Sequence, residues 1–312
     1  MNRKLLLPLL ALSLAVLACR FLPVIPTPIP PLPPTLTQTV LPPVPTPTDT
    51  PVPSGLTLDM LRNGTYHAPS YDRTVSLVDG IYGTGSNTDP YYVRMLDVVA
   101  FGDLNGDGSA DAAILLAENG GGSGVFESLV IVLNQGGMPF PAGAAQLGDR
   151  VLVNAMKTVS GRIELDMVVH GPNDPSCCPA QPETQTYRML GTSLWLISLT
   201  TRTPDAHNRS ITLSAPVDGT SVTNPFTVSG SVTISPFENS LVCRITLPDE
   251  TLVNEAPLMV DSGVEMGGPG TFSREFDLSN AGITGPVIIQ FLDLSAADGS
   301  IIALASVLLN VH

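Results

Sequence analysis

Ile211-Thr212-Leu213-Ser214-Ala215-Pro216-Val217-Asp218-Gly219 leads into Val222-Thr223-Asn224-Pro225-Phe226-Thr227-Val228-Ser229-Gly230, and this stretch decides how the last third of the chain folds. Ile211, Leu213 and Val222 alternate with Thr212, Ser214 and Thr223. That period of two gives strands with one dry and one wet face. Pro216 and Pro225 have no N–H for a ladder, so they mark strand edges or starts. Gly219, Gly230 and, further on, Gly299 permit turn conformations closed to other residues. Short strands split by Gly, Pro, Asn and Asp continue to Val311, a pattern expected of a β-sandwich.

Other anchors follow in order: Phe237-Glu238-Asn239-Ser240-Leu241, Phe272 to Leu278, and Asp298-Gly299-Ser300 before a closing strand from Ala303 to Val311. With the opening stretch, this order resembles the immunoglobulin-like domain of bacterial spore germination proteins. The resemblance implies an Ig-like sandwich in a cell-envelope protein, an accessory module without catalytic residues. It covers residues 208–312.

Upstream, a polar break at Thr201-Arg202-Thr203-Pro204-Asp205 closes a first module, residues 54–203. Its sequence predicts a short helix from Leu56 to Arg62, starting near Thr57, then strands. These are Thr74 to Val78, Tyr91 to Leu96, Val98 to Phe101, Ala112 to Ala117, Leu129 to Asn134, Arg150 to Val153, Arg162 to Val169 and Leu194 to Ser198. Val78-Asp79-Gly80-Ile81 and Ser160-Gly161 read as hairpin turns. Ala142 to Leu147 reads as a second short helix. The fold class is mainly β: a β-rich (α+β) module followed by an Ig-like β-sandwich. Trp195 lies in an apolar run and is expected in the core.

Phe101-Gly102-Asp103-Leu104-Asn105-Gly106-Asp107-Gly108-Ser109-Ala110-Asp111 is the leading site candidate. Asp103, Asn105, Asp107 and Asp111 place oxygen side chains at alternating positions, and Ser109 can offer its carbonyl. Calcium takes about six to eight oxygens, which such a tight loop can supply. Ile114 stands where an EF-hand needs Glu, and the flanks read as strands. The loop resembles the FG-GAP repeat of integrin-type propellers, which implies metal ligands at Asp103, Asn105, Asp107, Ser109 and Asp111. A propeller needs several such repeats, so the resemblance extends to the loop alone. Structural Ca2+ is the expected cofactor; a metal-free Asp/Gly turn is the alternative.

Glu118-Asn119-Gly120-Gly121-Gly122-Ser123-Gly124 has the look of a phosphate cradle but lacks a P-loop lysine, so a hairpin loop is expected. His170-Gly171-Pro172-Asn173-Asp174-Pro175-Ser176-Cys177-Cys178-Pro179 brings Cys, His and Asp together. No nucleophile signature surrounds the cysteines, and exported thiols oxidise. A Cys177–Cys178 disulfide, or a bond from either to Cys243, is expected ahead of thiol catalysis or metal binding with His170. His67, His207 and His312 have no recognisable partners in the sequence. Carboxylates are too scattered to select a glycosidase pair.

The N-terminal end sets the context. Met1-Asn2-Arg3-Lys4 is basic, Leu5 to Ala18 is apolar, and Val16-Leu17-Ala18-Cys19 closes the run. This is a secretory signal, too short for the roughly 20 residues of a membrane span. Its end resembles the lipobox of bacterial lipoproteins, which implies removal of residues 1–18 and lipidation of Cys19. Residues 19–53 follow as a linker, with thirteen prolines from Pro23 to Pro53. Such a segment favours polyproline II and cannot bury a core; at ~3.1 Å per residue it could reach ~100 Å from a membrane.

The formal charge is −14, and −16 once Arg3 and Lys4 are removed. No basic patch for nucleic acid is expected. The sequence therefore predicts a non-enzymatic, membrane-tethered, extracytoplasmic lipoprotein. Its expected partners are the membrane through the lipid, envelope proteins and cell-wall polysaccharide. The rival readings are an envelope hydrolase using the first module, and a sporulation or germination accessory factor.

Overall fold

The structure is a computed structural model that describes residues 55–83, 85–263 and 267–312. The signal segment, Cys19 and the proline-rich linker lie outside the described residues. Helix α1 (Leu58–Arg62) begins where Thr57 Oγ1 accepts the Met60 N–H, an ordinary N-cap. The strands of the first half are β1 (Thr65–Ala68), β2 (Arg73–Ser76), β3 (Ile81–Tyr82), β4 (Tyr92–Gly102), β5 (Asp111–Asn119), β6 (Phe126–Gln135), β7 (Met138–Asp149), β8 (Leu152–Val159), β9 (Arg162–Val169), β10 (Gln181–Leu190) and β11 (Ser193–Arg202). Those of the second half are β12 (Asn208–Arg209), β13 (Ile211–Ala215), β14 (Ser221–Val222), β15 (Phe226–Val232), β16 (Ser240–Thr246), β17 (Leu252–Met259), β18 (Gly270–Phe276), β19 (Gly285–Leu294) and β20 (Ile301–Val311).

Strands β3 to β7 pair in sequence order as a five-stranded antiparallel meander. At its centre, every residue of β5 is buried. Ala112, Ile114 and Leu116 face a core completed by α1, β1 and β2; Ala113 and Leu115 face another completed by Ile163, Leu165 and Met167 of β9. A strand covered on both faces reads as a continuous apolar run, as Ala112 to Ala117 does. The hairpins at Asp79-Gly80 and Ser160-Gly161 hold positive φ at both central residues, the conformation a tight two-residue turn needs.

Ala142 to Leu147 is no helix; it lies within β7, the edge strand of the meander. Pro139 and Pro141 fit such an edge, where a missing N–H breaks no inner ladder. Tyr91 to Leu96 and Val98 to Phe101 are likewise one strand, β4, whose register shifts between Met95 and Val99. That irregularity carries Asp97, which pairs with Arg62 at 2.9 Å.

The second half is a two-layer sandwich. Strands β13-β15-β18 form one layer, and β17-β16-β19-β20 belong to the other. Phe226, Phe272, Leu241, Phe291 and Leu309 fill the space between. Gly219 and Gly299 take positive φ in turns, but Gly230 does not. It sits inside β15, where a Cβ would lie 2.5 Å from both the Phe272 ring and the Thr212 carbonyl oxygen. Its role is close packing of neighbouring strands.

The larger layer does not stop at the Ig-like module. Strand β20 pairs with β11 through Ser198↔Ala305, Leu199↔Leu304 and Thr200↔Ala303, so the order runs β17-β16-β19-β20-β11-β10-β9-β8. Residues Thr50–His312 accordingly group as one unit. Leu199, Leu292 and Leu304 seal the junction. Among the described residues, no helix is long and apolar enough to cross a membrane.

Candidate functional site

The Asp-rich loop joins β4 to β5, as its flanking strands predict. Its polar side chains are bonded within the loop. Asp103 Oδ1 accepts the Gly106 N–H at 2.7 Å and Oδ2 that of Gly108 at 3.0 Å. Asn105 Oδ1 accepts the Asp107 N–H at 2.9 Å, and Asp107 Oδ1 accepts that of Ser109 at 2.7 Å. Bonds from the Asn105 amide and then Ser109 hold the exposed Asp107 carboxyl below its ordinary pKa.

Asp111 differs from the others. It is 0% exposed, and its two oxygens accept the Leu104 and Asn134 N–H groups, both at 2.8 Å. It therefore ties the β4–β5 turn to the end of β6. Among the described residues, no three His, Cys, Asp or Glu side chains converge as a metal-ligand group. The loop as it stands is a hydrogen-bonded Asx-type turn. A calcium ion there would require Asp103 and Asp107 to turn oxygens toward a common centre.

The glycine-rich stretch connects β5 to β6 at the opposite end of β5. Asn119 organises it: Nδ2 donates to the Gly122 and Gly124 carbonyls, and Oδ1 accepts the Gly121 N–H. Glycine is required because a Cβ on Gly120 would meet the Tyr71 ring at 2.6 Å and one on Gly121 would meet Pro90 at 2.3 Å. Glu118 faces inward and accepts from Ser70 N and Tyr91 Oη. These contacts account for the stretch without a phosphate.

The His170 to Ala180 segment links β9 to β10. Asp174 Oδ2 accepts the Gly171 and Ala180 N–H groups at 2.8 and 2.7 Å, which closes the loop and lowers the carboxyl's pKa. Cys177 and Cys178 are bonded to each other on its exposed face. Cys243 takes no part in a disulfide: it is 2% exposed in the sandwich core, where burial pushes its thiol up to about 11. In this oxidised form neither Cys177 nor Cys178 can act as a nucleophile.

His170 lines a cleft of about 320 Å³ that sequence reasoning missed. The cleft lies where β9, β10 and β11 meet the start of β20, and its apolar walls include Leu147, Val151, Leu199, Ile301 and Ile302. Strand β10 supplies its polar floor. Met189, Tyr187, Gln185 and Glu183 alternate along one buried face. The first two belong to the core of the first module; Gln185 and Glu183 continue that face into the cleft.

A relay fixes the floor: Tyr187 Oη donates to Gln185 Oε1 at 2.5 Å, and the Gln185 amide Nε2 donates to Glu183 Oε1. Glu183 is 8% exposed, and burial raises its carboxyl to about 7 despite the Gln185 bond. Burial and the Glu183 charge raise the Tyr187 phenol as well. Asp149 also lines the cleft, but it is paired with Arg150. The signal for Glu183 was present in Glu183-Thr184-Gln185-Thr186-Tyr187, a period-two pattern whose inner positions are polar.

Other predicted residues are placed plainly. Trp195 is buried in β11. His67 and His207 are exposed beside Asp72 and Asp205, and His312 is exposed beside Asn310.

No curated protein and no solved structure shows a significant match to the chain. Residues 210–300 match the family Gmad2, the immunoglobulin-like domain of bacterial spore germination, so the sandwich built on β13 to β20 is similar to that Ig-like module.

Proposed function

We propose that the chain is a membrane-tethered bacterial surface lipoprotein, a non-catalytic protein that binds or displays an envelope component. The observation that carries this reading is the match of residues 210–300 to an Ig-like module of spore germination. Beside it stand the basic Arg3-Lys4, the apolar run to Ala18 and then Cys19, which read as a lipoprotein signal of residues 1–18. Lipidated Cys19 is the anchor, and residues 20–53 are the stalk. Envelope proteins and cell-wall polysaccharide are the partner classes, and an accessory role in sporulation or germination is the narrower form of the reading. The Cys177–Cys178 bond supports an oxidising, extracytoplasmic location.

Fractionation of cells producing the wild-type chain or Cys19→Ala tests the tether. The wild type stays with membranes and is digested by protease added outside the cytoplasm, whereas the variant is released or retained unlipidated. Equal cytosolic recovery of both would refute the reading. Calcium at Asp103, Asn105, Asp107, Ser109 and Asp111 is a separate part of the proposal. It predicts a higher melting temperature in calcium than in chelator; identical curves leave the turn with its hydrogen bonds alone.

A further inference from the structure

We infer that the cleft between β10, β11 and the start of β20 is a binding site for a small organic amine, its ammonium on Glu183 and its apolar body against Leu199, Ile301 and Ile302.

Four observations converge on this chemistry. First, Glu183 is buried but unpaired: among the described residues, no Lys, Arg or His lies within ion-pair distance of it. An uncompensated buried carboxylate is unfavourable, and a bound cation relieves it. Second, the carboxyl is held in place. Gln185 bonds Oε1 and is itself oriented by Tyr187, while Oε2 receives no hydrogen bond from the described residues. Third, the neighbouring acid is already neutralised, because Asp149 pairs with Arg150 and accepts the Val125 N–H. Charge demand in the cleft therefore centres on Glu183.

Fourth, the cleft's size and lining suit a compact ligand. Its volume of about 320 Å³ falls at the small end of ligand pockets, and its walls combine aliphatic side chains with polar ones. Leu199 comes from the first half of the chain, and Ile301 and Ile302 come from the Ig-like half. The site exists because β20 pairs with β11, so it needs both halves folded together. This inference is independent of the tether and holds whether or not Cys19 carries a lipid.

Calorimetric titration of the full chain at pH 8 with cyclohexylmethylamine, and with cyclohexylmethanol as its neutral counterpart, tests the proposal. The amine is expected to bind at least about tenfold more tightly than the alcohol. Glu183→Gln keeps the shape and an acceptor for Gln185, and it should remove that preference. Methyl resonances of Leu199, Ile301 and Ile302 should shift on adding the amine to the wild type, a readout that needs no variant. Equal binding of amine and alcohol, undiminished amine binding by Glu183→Gln, or shifts confined to other methyls would overturn the assignment. So would an absence of amine binding at millimolar concentration.

Discussion

Asp111→Ala removes a carboxylate that holds two distant parts of the chain together. Asp111 is fully buried, and its oxygens accept the Leu104 and Asn134 N–H groups at 2.8 Å each. Hydrogen bonds to a charged group contribute about 1.5–3 kcal/mol each, and burying the orphaned N–H groups adds to the loss. Part is recovered because a buried charge disappears. Taking the low end for each bond gives a destabilisation of about 3 kcal/mol. For a body of this size that lowers the melting temperature by about 6–12 °C.

Asp111→Asn should fall between the two, since its amide presents an oxygen to one N–H and a donor to the other. The assay is thermal and urea unfolding in chelator, with hydrogen exchange of the two amides. Both amides should lose protection in Asp111→Ala. A loss below about 1 kcal/mol in chelator, or unchanged protection at Leu104 and Asn134, would refute the hydrogen-bonding role. A loss that appears only when calcium is present would instead make Asp111 a metal ligand.

The pH dependence of stability follows from Glu183 and Glu127, both raised by burial to about 7 from ordinary values near 4.5. In the window between those values the folded state holds protons that the unfolded state releases, so stability falls as pH rises from about 5 to 8. Glu183→Gln should therefore be more stable than wild type at pH 8, by roughly 3 kcal/mol, with most of the difference gone at pH 5; urea titrations at both pH values read this. Gly230→Ala forces a methyl against the Phe272 ring and the Thr212 carbonyl, and unfolding should show a loss of about 1–3 kcal/mol. Thiol titration of the unreduced chain should find Cys243 unreactive when folded and reactive in denaturant, with Cys177 and Cys178 appearing only after reduction.

What the sequence made legible follows from how each strand is buried. The sandwich could be read because Ile211, Leu213 and Val222 alternate with polar residues between fixed Pro and Gly positions. Strand β5 could be read because burial on both faces demands an unbroken apolar run. Strand β7 could not: Ala142, Ala144, Ala145, Gln146 and Leu147 are good helix formers, and only their place beside β6 makes them extended. Strand β10 was missed for the opposite reason. Its buried face runs from Met189 through Tyr187 to Gln185 and Glu183, so half of its inner positions are polar. That departure from an apolar pattern marks the cleft. The junction of β11 with β20 pairs residues about a hundred positions apart, and no local pattern announces it.

The site candidates divide the same way. The Asp103 to Asp111 loop was placed correctly between two strands, because alternating Asp, Asn and Gly specify a turn whatever fills it. Its internal bonding depends on side-chain orientation, which spacing alone does not set. His170 and the paired cysteines are neighbours in sequence, yet only His170 lines the cleft, while the disulfide lies on the exposed face of the loop.

Mass spectrometry of the mature N-terminal peptide tests the tether most directly. The account predicts a chain that starts at Cys19 and carries acyl groups on that residue. A chain that still begins at Met1, or one cut elsewhere with Cys19 unmodified, would contradict it.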